Sequence, residues 1–527
     1  MKKILSLLIC MLLLASVLSA CNTQTPPVPA DTVQTESEAT TDGTTQTESD
    51  TQPAPTIPPE QALPPEQVVQ GLDANAVIMQ IGTSTRQVLL YGNDWAEIQN
   101  AFTMAGYAPV DVTLLDNAKL ETKMLYGKDF TVTLQKTQDG AYAIWEPYNP
   151  STLSLLLPNE KTGKGEVTLA QIGIARVEEV DNPLNGMCYI YKLSDGSAVI
   201  IDGGFNNKEC RNNILNTLGK LDIAKTDQGK YRITAWIFSH GHKDHRAAFT
   251  GFGKNMGDQV ELSYVMYNFP VSPGTLTTST FDLVNFENKM AEYYPNAQHV
   301  VPHAGLAYHF DNLTVEVLYS PEMMYQPDKT IDYYNDTSLI MIADCSGART
   351  LFMGDAGEQA ATKAWENYNR AAFKANMLQI THHGFNTGNE SHNWKNIKQI
   401  YNSTDATIGL LPMTSRLEGN ERNGRFTVIV GHGNASYQMS FFVNKRDRQN
   451  LSNVTQEDYM KFVDEVAAGT NKYPTLFGYD GINTIVSNTG MVTYIAGSET
   501  APMVTLFSLG AQGASMTHNQ LLADWLG

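Results

Sequence analysis

An α/β fold, preceded by a small domain of α+β or mostly β character, is what this 527-residue sequence predicts. Three observations carry the expectation. From about Val167 onward, short apolar strands run repeatedly into loops that bear Gly or His, the punctuation of strands alternating with helices. None of the 11 histidines precedes residue 240, so imidazole chemistry is confined to the second half of the chain. Residues 22 to 65 contain no aromatic and no basic residue, but seven acidic residues and nine of the 23 prolines. That stretch cannot bury a core, which leaves about 460 residues for one large domain with a small one in front.

In chain order, Met1-Lys2-Lys3 is a short positive start, and Ile4 to Val17 is an apolar run too short for a permanent membrane span. It ends in Leu18-Ser19-Ala20-Cys21, which resembles the bacterial lipobox. The resemblance implies a lipoprotein signal peptide over residues 1–20 and lipidation of Cys21. It places the protein outside the cytoplasm, anchored through its N-terminal lipid to the outer face of the bacterial cytoplasmic membrane. An ordinary secretory signal with an incidental cysteine is the alternative. Residues 21–65 read as a disordered tether that would carry the body tens of ångströms from the membrane.

The formal charge of the chain is −19. Removing Lys2 and Lys3 with the signal makes it −21, and the seven carboxylates of the tether leave about −14 on the body. A body of that sign repels phosphate backbones at long range, which disfavours extended nucleic acid as a partner while permitting a local positive centre. Of five cysteines, Cys188, Cys210 and Cys345 remain in the body; without a C-x-x-C spacing they read as small buried hydrophobes.

Residues 66–165 form the expected accessory domain, with strands near Ala76 to Gln80, Gln87 to Tyr91 and Asp129 to Leu134 and a helix from Asp94 to Ala105. Residues 166–527 form the large domain. There Ala198 to Ile201 runs into Asp202-Gly203-Gly204, Lys208 to Leu218 reads as an amphipathic helix ended by Gly219, and Ile233 to Phe238 runs into Ser239-His240-Gly241-His242-Lys243-Asp244-His245. Four potential ligands within six residues follow that last strand. In a turning loop, His240 and His242 project to one side and Asp244 and His245 to another, so one loop can serve two metal ions. A solvated polar loop is the bland alternative.

H-x-H-x-D-H after a strand, behind an earlier strand ending in Asp-x-Gly, resembles the metallo-β-lactamase fold superfamily. Leu351-Phe352-Met353-Gly354-Asp355-Ala356 resembles that family's bridging aspartate segment, and Thr381-His382-His383-Gly384 its late histidine. The resemblance spans about residues 167 to 500 and implies an αββα sandwich with metals at one edge. Strands at Ala406 to Pro412 and Phe426 to Val430, and a hairpin from Tyr479-Asp480-Gly481 to Val492, would complete it.

One element departs from the family pattern. Where many members place a lone histidine, this chain has Asn335-Asp336-Thr337-Ser338-Leu339 ahead of the strand Ile340 to Ala343, while His299, His303 and His309 lie elsewhere. With Gly-Asp-Ala and His-His-Gly, this resembles the branch containing the extracellular domain of DNA-uptake channel proteins and the cell-surface phosphorylcholine esterases. In that branch Asn or Asp can replace the histidine.

The resemblance implies that His240 and His242, with Asn335 or Asp336, hold a first metal. Asp244, His245 and His383 hold a second, and Asp355 bridges. His382 would donate to a leaving group or touch a phosphate oxygen, although which of His382 and His383 binds metal stays open. Asp202 would fix the loop by hydrogen bonds, and Asp244, His382 and Asp202 are the residues expected to act in catalysis. Imidazole and carboxylate donors suit two divalent ions, zinc foremost, with manganese or iron compatible. Two cations sharing a water lower its pKa and supply a hydroxide nucleophile. His303 and His432 read as satisfied loop histidines, and the run from Met323 to Tyr334 as a loop that packs on the body or contacts substrate.

The function so implied is a surface-anchored metal-dependent hydrolase, a phosphodiesterase or phosphoesterase acting on an anionic small molecule or a cell-surface polymer. β-Lactam hydrolysis ranks lower. A non-catalytic lipoprotein binding a wall component or solute through a degenerate metal site is the alternative from another class, favoured by the departure at residues 335–339.

Overall fold

A computed structural model of the chain describes residues 58–412 apart from 173–185, 272–281, 326–333, 385–394 and isolated single positions, together with the backbone of four short strands between 440 and 496. The expected signal, Cys21, most of the tether, the strand at Phe426 to Val430 and His432 lie outside the described residues.

The fold takes in chain expected as tether. Prolines preset the 3₁₀ turn Pro59–Gln61, the Leu63 amide donates to the Ala105 carbonyl at 2.9 Å, and helix α1 (Pro65–Leu72) begins on a proline. Strands β1 (Met79–Gln80), β2 (Arg86–Leu90), β3 (Ala108–Pro109), β4 (Glu121–Tyr126), β5 (Phe130–Thr137) and β6 (Gly140–Pro147) form an antiparallel sheet in the order β1-β2-β6-β5-β4-β3. Helix α2 (Trp95–Met104) starts where Asp94 caps it by accepting from the Ala96 amide at 2.9 Å. Alternation decides what each face meets. Val88, Leu90, Val132, Leu134 and Trp145 pack with Val69, Ile98 and Phe102 of the two helices, while Gln87, Gln135 and Tyr142 occupy the opposite face.

After α3 (Pro150–Leu155), a second sheet takes β7 (Thr168–Gln171), β8 (Cys188–Lys192), β9 (Ala198–Asp202), β10 (Tyr231–Ile237), β11 (Val260–Met266) and β12 (Gln298–Val300), running parallel from β9 to β12. A third takes β13 (Ala307–Phe310), β14 (Leu313–Tyr319), β15 (Ile340–Cys345), β16 (Ala348–Phe352), β17 (Met377–Gln379), β18 (Ile408–Leu411), β19 (Ser440–Phe441) and β20 (Pro474–Phe477). The closing hairpin is β21 (Ile482–Ser487) and β22 (Val492–Ala496), antiparallel, and it joins the second sheet beside β7.

The two large sheets pack face to face through Tyr189, Val199, Ile201 and Ile237 on one side and Val315, Val317, Met341 and Phe352 on the other. Helices α4 (Lys208–Lys220), α5 (Lys243–Met256) and α6 (Leu283–Tyr293) cover the outer face of the second sheet, where Ile214, Phe249 and Phe286 join Ile200 and Trp236. Helices α7 (Glu358–Asn367) and α8 (Lys395–Thr404) cover the third, with Ala361, Ala364 and Ile400 against Ile342 and Leu351. The large body is therefore an α/β fold, an αββα sandwich, and β9 reads as a continuous apolar run because it is buried on both faces.

Gly219 does not end α4. The helix runs on to Lys220 and its chain reverses at Asp222, which takes the left-handed conformation at φ 51° that Asp tolerates. Cys188, Cys210 and Cys345 are buried and form no disulfide. No helix among the described residues is long and apolar enough to cross a membrane.

Candidate metal centre

The loops that leave the carboxyl ends of β9, β10, β16 and β17 meet at one edge of the sandwich, where open α/β sheets gather ligand groups. Two groups of ligand atoms result, each within 4.8 Å: His240, His242 and Asp355 in one, and Asp244, His245, Asp355 and His383 in the other. Six sequence-predicted residues are thus brought together, and Asp355 belongs to both groups.

Backbone detail makes this meeting possible. Gly354 adopts φ +52°, and a Cβ there would stand 2.7 Å from the Ser239 Cβ and 3.1 Å from that of Ser338. Only glycine lets the β16 loop come this close to the loop after β10. His382 and His383 are consecutive left-handed residues at φ 49° and 52°, and Asp202 has φ 55°. Three of the six non-glycine residues in that region among the described residues are therefore at this edge, each at a cost of roughly 1–2 kcal/mol. The strain is held by hydrogen bonds: the His382 amide donates to the Gly354 carbonyl at 3.0 Å, the Leu339 amide to the Ser239 carbonyl at 2.9 Å, and Thr381 Oγ1 to the Ala356 carbonyl at 2.7 Å.

Asp202 is fully buried and stands outside both groups. Its Oδ1 accepts from the Ser239 amide and its Oδ2 from Ser239 Oγ, each at 2.7 Å, and Oδ2 also takes His245 Nδ1 at 2.7 Å. These bonds fix tautomers. His245 carries its proton on Nδ1 and turns a lone pair on Nε2 toward the cluster. Ser239 Oγ, having spent its proton on Asp202, accepts from His240 Nδ1 at 3.2 Å, so the His240 lone pair is also on Nε2. His383 Nδ1 donates to the Pro412 carbonyl at 2.6 Å, with the same result.

Ring nitrogens consequently confront one another. His240 Nε2 lies 3.0 Å from His242 Nδ1, and His245 Nε2 lies 3.2 Å from His383 Nε2. Asp355 Oδ1 is buried with no hydrogen-bond partner, 3.2 Å from His245 Nε2 and 3.5 Å from His383 Nε2, and Asp244 Oδ2 is 3.3 Å from His383 Nε2. Converging lone pairs and carboxylates are the donor set a divalent cation requires, so the residues fit the metal the sequence implies.

The charges agree. Burial, reinforced by neighbouring imidazoles, keeps His240 and His242 well toward the neutral, lone-pair form. Burial would push the Asp355 carboxyl up, but His245, His383 and His382 hold it well below the usual carboxylate range. Burial likewise opposes charge on His245, yet Asp355, Asp202 and Asp244 raise its pKa, so without a cation a proton takes the Nε2 lone pair that a cation would otherwise use. The field that attracts that proton also attracts a cation.

The remaining predicted residues stand outside both groups. Asp336, expected as a ligand, instead accepts from the Ala360 amide at 3.0 Å and so satisfies the first turn of α7. Asn335 is buried in a 3₁₀ turn, Tyr334–Thr337, with Oδ1 lacking a hydrogen-bond partner. His382 Nε2 lies 3.9 Å from Asp355 Oδ2, the oxygen that is 3.7 Å from His240 Nε2, so it stands on the side of the first group. Sequence reasoning gave no role to Ser239, which sets two of the imidazoles, or to Gln379, which receives the Met353 amide and donates to the Gly354 carbonyl. The adjacency of Ser239 to the histidine motif was the available signal. Tyr334, the last residue of the aromatic run, sets its ring 4.8 Å from that of His242 at a tilt of 47°.

No protein-family model matches the chain, and no curated protein matches it. Among solved structures it is similar to the metallo-β-lactamase fold protein YhfI from Bacillus subtilis, at 14% identity and a TM-score of 0.29 over 47% of this chain and 86% of that one. It is similar to a diphosphatase of the PhnP family, at 11% and 0.28 over 47% and 85%. Zinc-bound PqqB from Methylobacterium extorquens is similar at 12% and 0.32 over 60% and 99%.

Proposed function

We propose that this chain is a metal-dependent hydrolase of phosphoesters, most of all phosphodiesters, held outside the cell by lipid on Cys21. The observation that carries the reading is the pair of ligand groups sharing Asp355, with imidazole lone pairs and an unpartnered carboxylate oxygen turned inward. His240, His242 and Asp355 would hold one divalent ion, and Asp244, His245, His383 and Asp355 a second, with zinc the best match to the donors. Cations bound there supply Lewis acidity, which activates water and neutralises the oxygens of an anionic ester.

The chain's own residues do the rest. Asp202 and Ser239 keep the imidazoles of His240 and His245 in register, and the strained pair His382-His383 divides two tasks. His383 faces the second group, while His382 stands beside the first, where its Nε2 can donate to a leaving oxygen or contact a phosphate oxygen. Buried walls around Asp355 exclude bulk water and strengthen each of these interactions. The acidic body supports a compact anionic group presented at the centre over an extended polyanion.

Metal analysis of the purified mature protein, with hydrolysis of bis(p-nitrophenyl) phosphate and nitrocefin, tests the reading. Two metals per chain with cleavage of the phosphodiester alone is the expected result; nitrocefin cleavage alone would replace it with β-lactam hydrolysis, and a metal-free, inactive protein would overturn it. For the anchor, Cys21→Ala is expected to move the protein from the membrane fraction to the medium.

A further inference from the structure

We propose that the Tyr334 hydroxyl is a hydrogen-bond donor to an anionic oxygen of the ligand at this centre. The inference rests on the phosphoester reading and adds to it a binding residue from outside the metal-ligating segments. Tyr334 is 4% exposed, and its ring centroid lies 4.8 Å from that of His242 and 6.1 Å from that of His240. The ring therefore forms a wall of the first ligand group. Its hydroxyl is buried and has no hydrogen-bond partner, although a buried donor left unsatisfied costs free energy.

Nothing about the local fold requires that hydroxyl. The 3₁₀ turn is held by its backbone and its other side chains. Thr337 Oγ1 donates to the Tyr334 carbonyl at 2.7 Å, the Ser338 amide donates to the Asn335 carbonyl at 2.9 Å, Asp336 accepts from the Ala360 amide, and the Tyr319 hydroxyl donates to the Asp336 carbonyl. Phenylalanine would fill the same space, so the phenol is retained at a cost the protein itself does not offset. A phenol carries its proton at neutral pH, so the group acts as a donor. Its complement is an acceptor brought by the ligand, and at a site built for cations that acceptor is an anionic oxygen such as those of phosphate.

The test is binding of inorganic phosphate to desalted, zinc-loaded protein by calorimetry, wild type against Tyr334→Phe, with zinc content measured in both. Phosphate affinity about tenfold weaker in the variant at unchanged zinc content is expected for loss of one hydrogen bond to a charged acceptor. Equal affinities, or no phosphate binding by the wild type, would overturn the proposal. Tyr334-dependent phosphate binding without bis(p-nitrophenyl) phosphate hydrolysis would keep this inference and remove the hydrolase reading. Hydrolysis by both proteins with identical phosphate affinity would do the reverse.

Discussion

Two clusters of buried imidazole and carboxylate lie among the described residues, and they are built on opposite accounts of their hydrogen bonds. Around His303 the charged groups pair with one another, although Gln135 Oε1 is left without a donor. Its Nδ1 meets Glu322 Oε2 at 3.0 Å and its Nε2 lies 3.6 Å from Glu146 Oε1, while Glu322 also accepts from Asn268 Nδ2 at 2.7 Å, Gln135 Nε2 at 3.2 Å and the Ala304 amide at 3.3 Å. Glu146 and Gln135 come from the N-terminal sheet, so this cluster fastens that sheet to the sandwich. Around Asp355 the groups point lone pairs at one another and leave a carboxylate oxygen without a donor. A cluster whose charged groups pair with one another is structural, whereas one whose imidazole lone pairs and carboxylates converge is suited to a cation.

The sharpest way to break the comparison is to remove the shared acceptor. Asp355→Ala is expected to lower bis(p-nitrophenyl) phosphate hydrolysis by about a thousandfold and to deplete bound metal, read by elemental analysis, with little loss of thermal stability in the metal-free protein. His303→Leu should invert that pattern. It leaves the Glu322 carboxylate buried without its cation, at a cost of about 3–5 kcal/mol in denaturant unfolding, while metal content at low temperature stays at the wild-type value. If His303→Leu sheds metal without losing stability, the two clusters are not separate.

A smaller effect is expected at Asp202, which touches the ligands but no metal. Asp202→Asn should weaken metal affinity by roughly 10- to 100-fold, measured by competition with a chelating dye, because asparagine leaves one acceptor oxygen and no charge for the three donors that Asp202 serves, His245 Nδ1 among them. Smallest and most gradual is the pH response of the structural cluster. Burial opposes charge on His303, but Glu322 and Glu146 raise its pKa to about 10, above its ordinary value. Stability from this group is thus complete below an unfolded pKa of about 6.5 and is lost as pH rises through 10. Melting temperature of the metal-free protein should fall across that window, and His303→Gln should flatten the fall.

How much of this was legible in the sequence differs between the clusters for a physical reason. The candidate ligands lie in short-range patterns, H-x-H-x-D-H, Gly-Asp and His-His-Gly, each placed directly after an apolar strand, so both the sandwich and the meeting of these six residues could be read from them. The partners of His303 are residues 146 and 322, and Glu322 in turn bonds residues 135 and 268; no local pattern announces a bond between chain segments that far apart. Asp336 shows the opposite difficulty. Asn-Asp ahead of a strand suits a ligand, but a carboxylate serves a helix amino terminus equally well, and the helix it caps begins only at Glu358. Likewise Gly219 reads as a stop signal, while the turn that ends its helix is made by Asp222.

The division of the second ligand group between the two halves of the sandwich has a consequence for the life of the molecule. Asp244 and His245 follow a strand of one sheet, and Asp355 and His383 follow strands of the other. An ion gripped by all four is a cross-brace between halves that the described cysteines do not join, and between His245 and His383 it closes a span of 138 residues. Loops of that length are costly to close without a link, so the bound ion would restrain unfolding much as a disulfide does elsewhere. The local supply of divalent ions would then set the protein's persistence and its resistance to proteases along with its activity.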